Sequence, residues 1–369
     1  MDSQYQIKLK SKETGKVYKF HSADGLNSKN SFRDEELLLA DKVEAEEDRI
    51  LVVQSNYGFL GIVLGEQAEK TVMQDTSARA CEYSRKNAEE NSLENYKVSK
   101  TALEDLKGEF DKIIYAPAGY ENVDVVKNRL AEAALKLRDN GELHIAGRKK
   151  TGLKRYRDFL KQYGEIEKTG RDGSVKAYRF TKNDTPLPPE ITKNFKAEVN
   201  GVEAEFVTEE GLFSAGKLDD GTRLLLENLE NVSGKVLDLA CGYGAVSAFI
   251  GKSYSCDLFL TDDNARATKY ARENLERNNV KFSEIKTADC LDGFKNKKFD
   301  YIVSNPPTHA GKTVTSKIFA QACSSLRKTG EFWLVYNQNM NYEEELNQKF
   351  GSVEEVEREG NFKVVRAVK

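Results

Sequence analysis

The chain has 369 residues, 39% hydrophobic and 32% charged, with a net charge of −3. That length exceeds one comfortable core and implies two domains, while the mild acidity gives no chain-wide nucleic-acid signature. No apolar run is long enough for a transmembrane helix, and MDSQYQIKLKSKETGK at the start lacks the apolar core of a secretory signal, so neither membrane insertion nor secretion is expected. Five dispersed cysteines (Cys81, Cys241, Cys256, Cys290, Cys323) and three separated histidines (His21, His144, His309) show no ligand spacing. They fit a reducing, cytoplasmic setting and argue against a metal centre.

In chain order, RILVVQSNYGFLGIVLG from Arg49 is an apolar strand, a turn and the start of a helix. DTSARACEYSRKNAEENSL from Asp75 is an amphipathic helix, EFDKIIYAPAG from Glu109 a second apolar strand, and LRDNGE from Leu137 leads into another. From Arg148 to Lys182 there are twelve Lys or Arg against four Asp or Glu. The bland explanation is a solvated face; the functional one is a phosphate-tracking patch that includes Lys149, Lys150, Lys154 and Arg155. NDTPLPPE (Asn183 to Glu190) holds three of the six prolines and marks a linker. The expected division is a domain over 1–183, a linker over 184–190 and a second domain over 191–369.

The second domain repeats the first in order and offset. KVLDLACGYGAVSAFIG from Lys235 matches the first strand–turn–helix segment, and KFDYIVSNPPT from Lys298 matches EFDKIIYAPAG. LRKTGE from Leu326 matches LRDNGE. DDNARATKYARENLERNNV from Asp262 shares nine of nineteen positions with the helix at Asp75. Tandem duplication is the economical explanation. Strands alternating with helices predict parallel βαβ units, and thus two α/β doubly wound sheets with ligands at the carboxyl ends of the strands.

Three motifs carry chemistry. In VLDLACGYG the glycine turn allows close ligand approach, while the acid Asp238 repels a pyrophosphate and suits a cationic group. LFLTDD ends in Asp262, placed to accept hydrogen bonds from ribose hydroxyls; Asp262 or Asp263 could instead cap the following helix. Asp289 follows a later strand. In SNPPT, the Asn305 oxygen and the Pro306 carbonyl can accept both protons of an amine conjugated to a base. That steers its nitrogen toward tetrahedral geometry, and the rigid prolines Pro306 and Pro307 limit reorganisation. A strand-ending turn alone does not require this triplet, because the first half ends the matching strand with Ala116-Pro117-Ala118.

The residues from Glu210 to Leu229 (EGLFSAGKLDDGTRLLLENL), VLDLACGYG, LTDDN, SNPPTHAG and EGNFKVVRA together resemble the class I S-adenosylmethionine-dependent methyltransferases. More narrowly they resemble the RsmC-type ribosomal RNA guanine-N2 methyltransferases, and NPPTHAGK is similar to archaeal members. The resemblance covers nearly all of 191–369. It implies two tandem Rossmann-like domains, the N-terminal one degenerate, and methyl transfer to a guanine amine of 16S rRNA. Asp238, Ala240, Cys241, Gly242 and Gly244 would line the methionine end of S-adenosyl-L-methionine, Asp262 its ribose and Asp289 its adenine. Asn305 and Pro306 would bind the amine, with Phe213 and Ser214 closing over the site. Thr308 stands where many amine methyltransferases carry a stacking aromatic, which puts the base identity in question. In the first half, Val52, Asn56 and Ala116 replace Asp238, Gly242 and Asn305, so no cofactor binding is expected there; its basic run is expected to dock RNA, against a rival role as a folding chaperone. Rival functions are methylation of transfer-RNA guanine or of protein glutamine, and a non-catalytic RNA-binding ribosome-assembly factor. The partner expected is ribosomal RNA or the ribosomal subunit. The oligomeric state is open, a monomer being compatible.

Overall fold

The computed structural model describes residues 4–10, 15–189, 191–307 and 311–369. The chain forms two compact units, one reaching to Ile191 and the other beginning at Thr192. Each contains a seven-stranded sheet with strand order 3-2-1-4-5-7-6, counted from the first strand of that sheet. In the C-terminal unit the order across the sheet is Glu284–Thr287, Cys256–Asp262, Gly234–Leu239, Phe299–Ser304, Leu326–Asn337, Phe362–Val368, Ser352–Glu359. The first five are parallel; Phe362–Val368 runs antiparallel to both its neighbours.

Alternation along each strand sends side chains to two cores. Val236, Leu258, Leu260 and Val303 pack with helices Asp220–Asn228, Ala245–Ser253 and Ala265–Arg277 on one face. Leu237, Leu239, Phe259 and Ile302 pack on the other with helices Lys312–Ser325 and Glu343–Lys349. A sheet covered on both sides explains why its inner strands read as continuous apolar runs.

Each unit also opens with an antiparallel hairpin, Gln4–Lys10 with Val17–Ala23 and Thr192–Val199 with Val202–Glu209. The hairpins are pinned by an asparagine that recurs in the repeat. Asn274 accepts from the Val207 N–H at 2.8 Å and donates to its carbonyl at 2.9 Å. Asn87 does the same for His21 at 2.7 and 2.8 Å. Two backbone groups of the hairpin are thereby satisfied without a further strand.

Candidate active site

Register brings the motifs to one edge. Leu239 pairs with Thr261 on one side and Ser304 on the other. The residues that follow these strand ends therefore emerge side by side: the turn at 240–244, Asp262, and Asn305-Pro306-Pro307.

The turn is built for close approach. Ala240 and Gly242 have φ of +62° and +54°, and a Cβ on Gly242 would meet nothing within 4 Å. Gly244 differs: its φ is +87°, and a Cβ would sit 3.0 Å from Ala271 Cα, so it serves helix packing. Cys241 donates its N–H to Thr261 O at 3.0 Å, but its side chain lies in the apolar core. Burial beside Asp262 and Asp238 pushes its thiol well up. Of the predicted turn residues, Cys241 is the one whose side chain lies in the apolar core, together with Tyr243.

Asp238 is 1% exposed, and its Oδ2 accepts the Ser247 N–H at 3.1 Å and hydroxyl at 2.7 Å. Burial pushes its carboxyl up to about 7, against those two bonds and with a contribution from nearby Asp262. Asp262 accepts N–H bonds from Asn264 and Gly242, each 2.9 Å; burial still pushes it up to about 6. Neither Asp262 nor Asp263 caps the following helix. That role falls to Asn264, whose oxygen accepts from the Arg266 N–H at 2.9 Å, because the helix starts one residue later than the acid pair alone suggests. Asp289 is held by Lys317, which lies 2.8 Å from both Asp289 and Asp292.

Asn305 Nδ2 lies 3.1 Å from Asp219 Oδ2 and 3.0 Å from Thr222 Oγ1. Among the described residues nothing hydrogen-bonds its Oδ1. Pro306 is buried and Pro307 exposed; Thr308 lies outside the described residues. Phe213 is 58% exposed. Its loop is tied to the glycine turn by the Tyr243 hydroxyl, which donates to Lys217 O at 3.0 Å, as does the Ser214 hydroxyl. Sequence reasoning missed Asp219, Thr222, Ser247 and Lys317. The first two lie within the LDDGT block already singled out; nothing local marks the other two.

The N-terminal unit keeps the sheet and fills the corresponding place. Asn56 holds φ +55° where Gly242 has +54°. It donates from its side chain to Asn27 O at 2.8 Å and accepts from the Asn27 N–H at 3.2 Å. Arg33 donates to the carbonyls of Ala116 at 2.8 Å and Pro117 at 3.3 Å. A guanidinium thus occupies the backbone acceptor that corresponds to the Pro306 carbonyl of the other unit, for which no partner is found among the described residues. On this unit Lys149, Lys150, Lys154 and Arg155 are all exposed, on a 3-10 turn and helix Leu153–Leu160. Arg148 is instead paired with Glu35 at 2.9 Å and with Asp34.

A 3-2-1-4-5-7-6 sheet with acids at its first two strand ends and Asn305-Pro306-Pro307 after its fourth has the architecture of a Rossmann-like methyltransferase domain. The family model of the Methyltransferase small domain matches twice, over residues 17–178 and 203–366. The chain is 32% identical over 270 residues to "Ribosomal RNA small subunit methyltransferase C" of Haemophilus influenzae, covering 70% of this chain and 80% of that one. The protein of the same name from Vibrio vulnificus is 28% identical over 251 residues, 65% and 72% of the two chains. The solved structure of the T. thermophilus 16S rRNA N2 methyltransferase RsmC, in complex with AdoMet and guanosine, superposes with a TM-score of 0.82 at 28% identity, over 99% of this chain and 98% of that one. The chain therefore belongs to the methyltransferase small domain family and, within it, to the ribosomal RNA small subunit methyltransferase C group. Among the described residues no helix is long and apolar enough to cross a membrane.

Proposed function

We propose that the chain methylates the exocyclic N2 amine of a guanine in 16S ribosomal RNA, using the C-terminal unit for chemistry and the N-terminal unit for RNA docking. The observation that carries this is the Asn305 amide, whose nitrogen is engaged and whose oxygen has no hydrogen-bond partner among the described residues. Bound S-adenosylmethionine supplies an electrophilic methyl group. The residues present fit that donor: Gly242 leaves room at the turn. Asp238 uses Oδ2 for Ser247, which leaves Oδ1 to face a cationic group. Asp262 accepts from ribose hydroxyls, and Asp289 borders the adenine.

Asn305 Oδ1 and Pro306 O accept the two protons of the guanine amine and turn its lone pair toward the methyl carbon. No general base is required before attack, since the proton is lost after nitrogen becomes cationic. Alignment of this kind is worth up to ~7–11 kcal/mol of barrier. The guanine must leave its stack, at a cost of about a few kcal/mol, and Phe213 offers an exposed ring to receive it. All these groups come from one unit of one chain, so a monomer suffices. Lys149, Lys150, Lys154 and Arg155 contact phosphates and set register without reading sequence.

Labelled methyl transfer to small ribosomal subunits and to deproteinised 16S RNA tests the reading. Label in ribonuclease-sensitive material is expected. Label that survives ribonuclease and follows protein would replace this reading with glutamine methylation.

A further inference from the structure

We propose that Asp219 and Thr222 are positioning residues that lock the Asn305 amide with Oδ1, not Nδ2, facing the target amine. The proposal rests on Asn305 being the amine acceptor. An asparagine amide turns about a broad, nearly two-fold torsion, and either face could meet a ligand. Only the oxygen can accept a proton-bearing amine; a flipped amide would present two N–H donors to it and repel it.

The local donor and acceptor inventory decides which way it faces. Asp219 Oδ2 accepts the Thr222 N–H at 2.9 Å and lies 3.3 Å from the Thr222 hydroxyl. A carboxylate has nothing to donate. Thr222 has one hydroxyl proton, and that proton points to Asp219, so Oγ1 faces Asn305 with a lone pair. Both neighbours of the amide are therefore acceptors, and both select Nδ2. A flipped Oδ1 would face two acceptors without a proton between them. The three groups form a chain in which each bond polarises the next.

The pair is itself held firmly. Asp219 is the N-cap of helix Asp220–Asn228, and Thr222 lies in the first turn and is buried. Between them, Gly221 lies so close to Phe362 that a Cβ there would fall 2.7 Å from its ring. The helix start is thus pressed against the strand Phe362–Val368, and the acceptors cannot drift with a loose loop.

The N-terminal unit supplies an internal comparison. At the matching positions stand Arg33 for Asp219, Glu36 for Thr222 and Ala116 for Asn305. Glu36 pairs with Arg33 at 3.0 Å, and Arg33 donates to the Ala116 and Pro117 carbonyls. Where no amide has to be oriented, a donor, Arg33, stands in the Asp219 place, and the acceptor Glu36 in the Thr222 place is spent on that donor. The fold therefore does not need Asp219 and Thr222 as such.

The test uses full-length chain with its RNA and compares Thr222→Val, Thr222→Ser, Asp219→Ser and Asn305→Ala. Serine at the N-cap keeps a capping oxygen, and valine keeps the shape of threonine. Turnover is expected to fall roughly 10-fold in Thr222→Val and up to ~100-fold in Asp219→Ser. KM for RNA and the affinity for S-adenosylmethionine should hold, and Thr222→Ser should recover most of the turnover missing from Thr222→Val. If Asp219→Ser does not fold, the threonine pair decides alone. Wild-type turnover in Thr222→Val and Asp219→Ser, beside an inactive Asn305→Ala, overturns the positioning role. So does a loss of cofactor affinity in Asp219→Ser equal to its loss of turnover. Full turnover in Asn305→Ala removes the acceptor reading itself, and the positioning role with it.

Discussion

Two glycines in one turn should fail in different ways. Gly242 and Gly244 both have positive φ, so alanine at either carries roughly 1 kcal/mol of left-handed strain. A stiffer unfolded chain offsets ~0.4–1 kcal/mol of this. At Gly242 nothing else changes, because its Cβ would meet no atom within 4 Å. At Gly244 the Cβ would lie 3.0 and 3.1 Å from Ala271 Cα and Cβ, and such overpacking costs ~1–3 kcal/mol more. Gly242→Ala should thus lower the melting temperature of the C-terminal unit by no more than about 3 °C, and Gly244→Ala by about 2–14 °C. Binding should rank them in reverse. The Gly242→Ala methyl enters the space a ligand would fill and should weaken S-adenosylmethionine at least ~10-fold, about 1.4 kcal/mol. The other half of the chain has already run part of this experiment: Asn56 stands at φ +55° in the Gly242 place. Gly58 is kept where a Cβ would lie 3.2 Å from Ser84 Cα. Calorimetric titration and thermal melts would decide it. A Gly242→Ala protein that binds the cofactor like wild type, or melts as low as Gly244→Ala, refutes the division of labour.

Further outcomes follow from the same site. Asp238 and Asp262 are raised to about 7 and about 6, and a cationic ligand favours their ionised forms. Cofactor affinity should therefore rise between pH 5.5 and 8 with proton release, measurable by titration in buffers of different ionisation enthalpy. For the free protein the sign is opposite: the folded state holds these protons more tightly than the unfolded chain. The two acids thus stabilise it at low pH, and that contribution fades as pH climbs toward 7. Asn305→Ala should lose turnover by at least ~100-fold while its cofactor titration stays within about 2-fold of wild type. Charge reversal at Lys149, Lys150, Lys154 and Arg155 should weaken RNA binding uniformly across sequences. It should also flatten the salt dependence by about 0.7–0.9 for each phosphate that is no longer neutralised; unchanged filter-binding curves would end the docking role.

Much of the fold was legible because the chain is written twice. Apolar runs such as VLDLA and DYIVS marked inner strands of a covered sheet, and the shared Ala-Arg-Ala…Tyr…Arg pattern marked one helix in both halves. The hairpins that open each unit were missed although NFKAEV and VEAEF alternate apolar and polar residues; what holds them, asparagines some 70 residues away, leaves no local sign. Asp238, Gly242 and Asn305 could be singled out because a strand-end acid, a turn glycine and a doubled proline leave local signs. Asp219 and Thr222 leave none that separates them from an ordinary helix cap: their partner Asn305 is more than 80 residues downstream. The same holds for Arg33, a basic residue before a helix until the fold carries it to the Ala116 and Pro117 carbonyls. Cys241 sits within the motif, yet its side chain is buried in the apolar core.

Selection of a guanine amine in 16S RNA by the Asn305 oxygen is open to direct measurement. Digestion of 16S RNA after reaction with the purified chain, followed by mass spectrometry of its nucleosides, tests it most directly. N2-methylguanosine is expected at a single position, and none when Asn305→Ala is used. A methylated adenine, a methylated guanine ring nitrogen, or undiminished N2-methylguanosine from Asn305→Ala would contradict it.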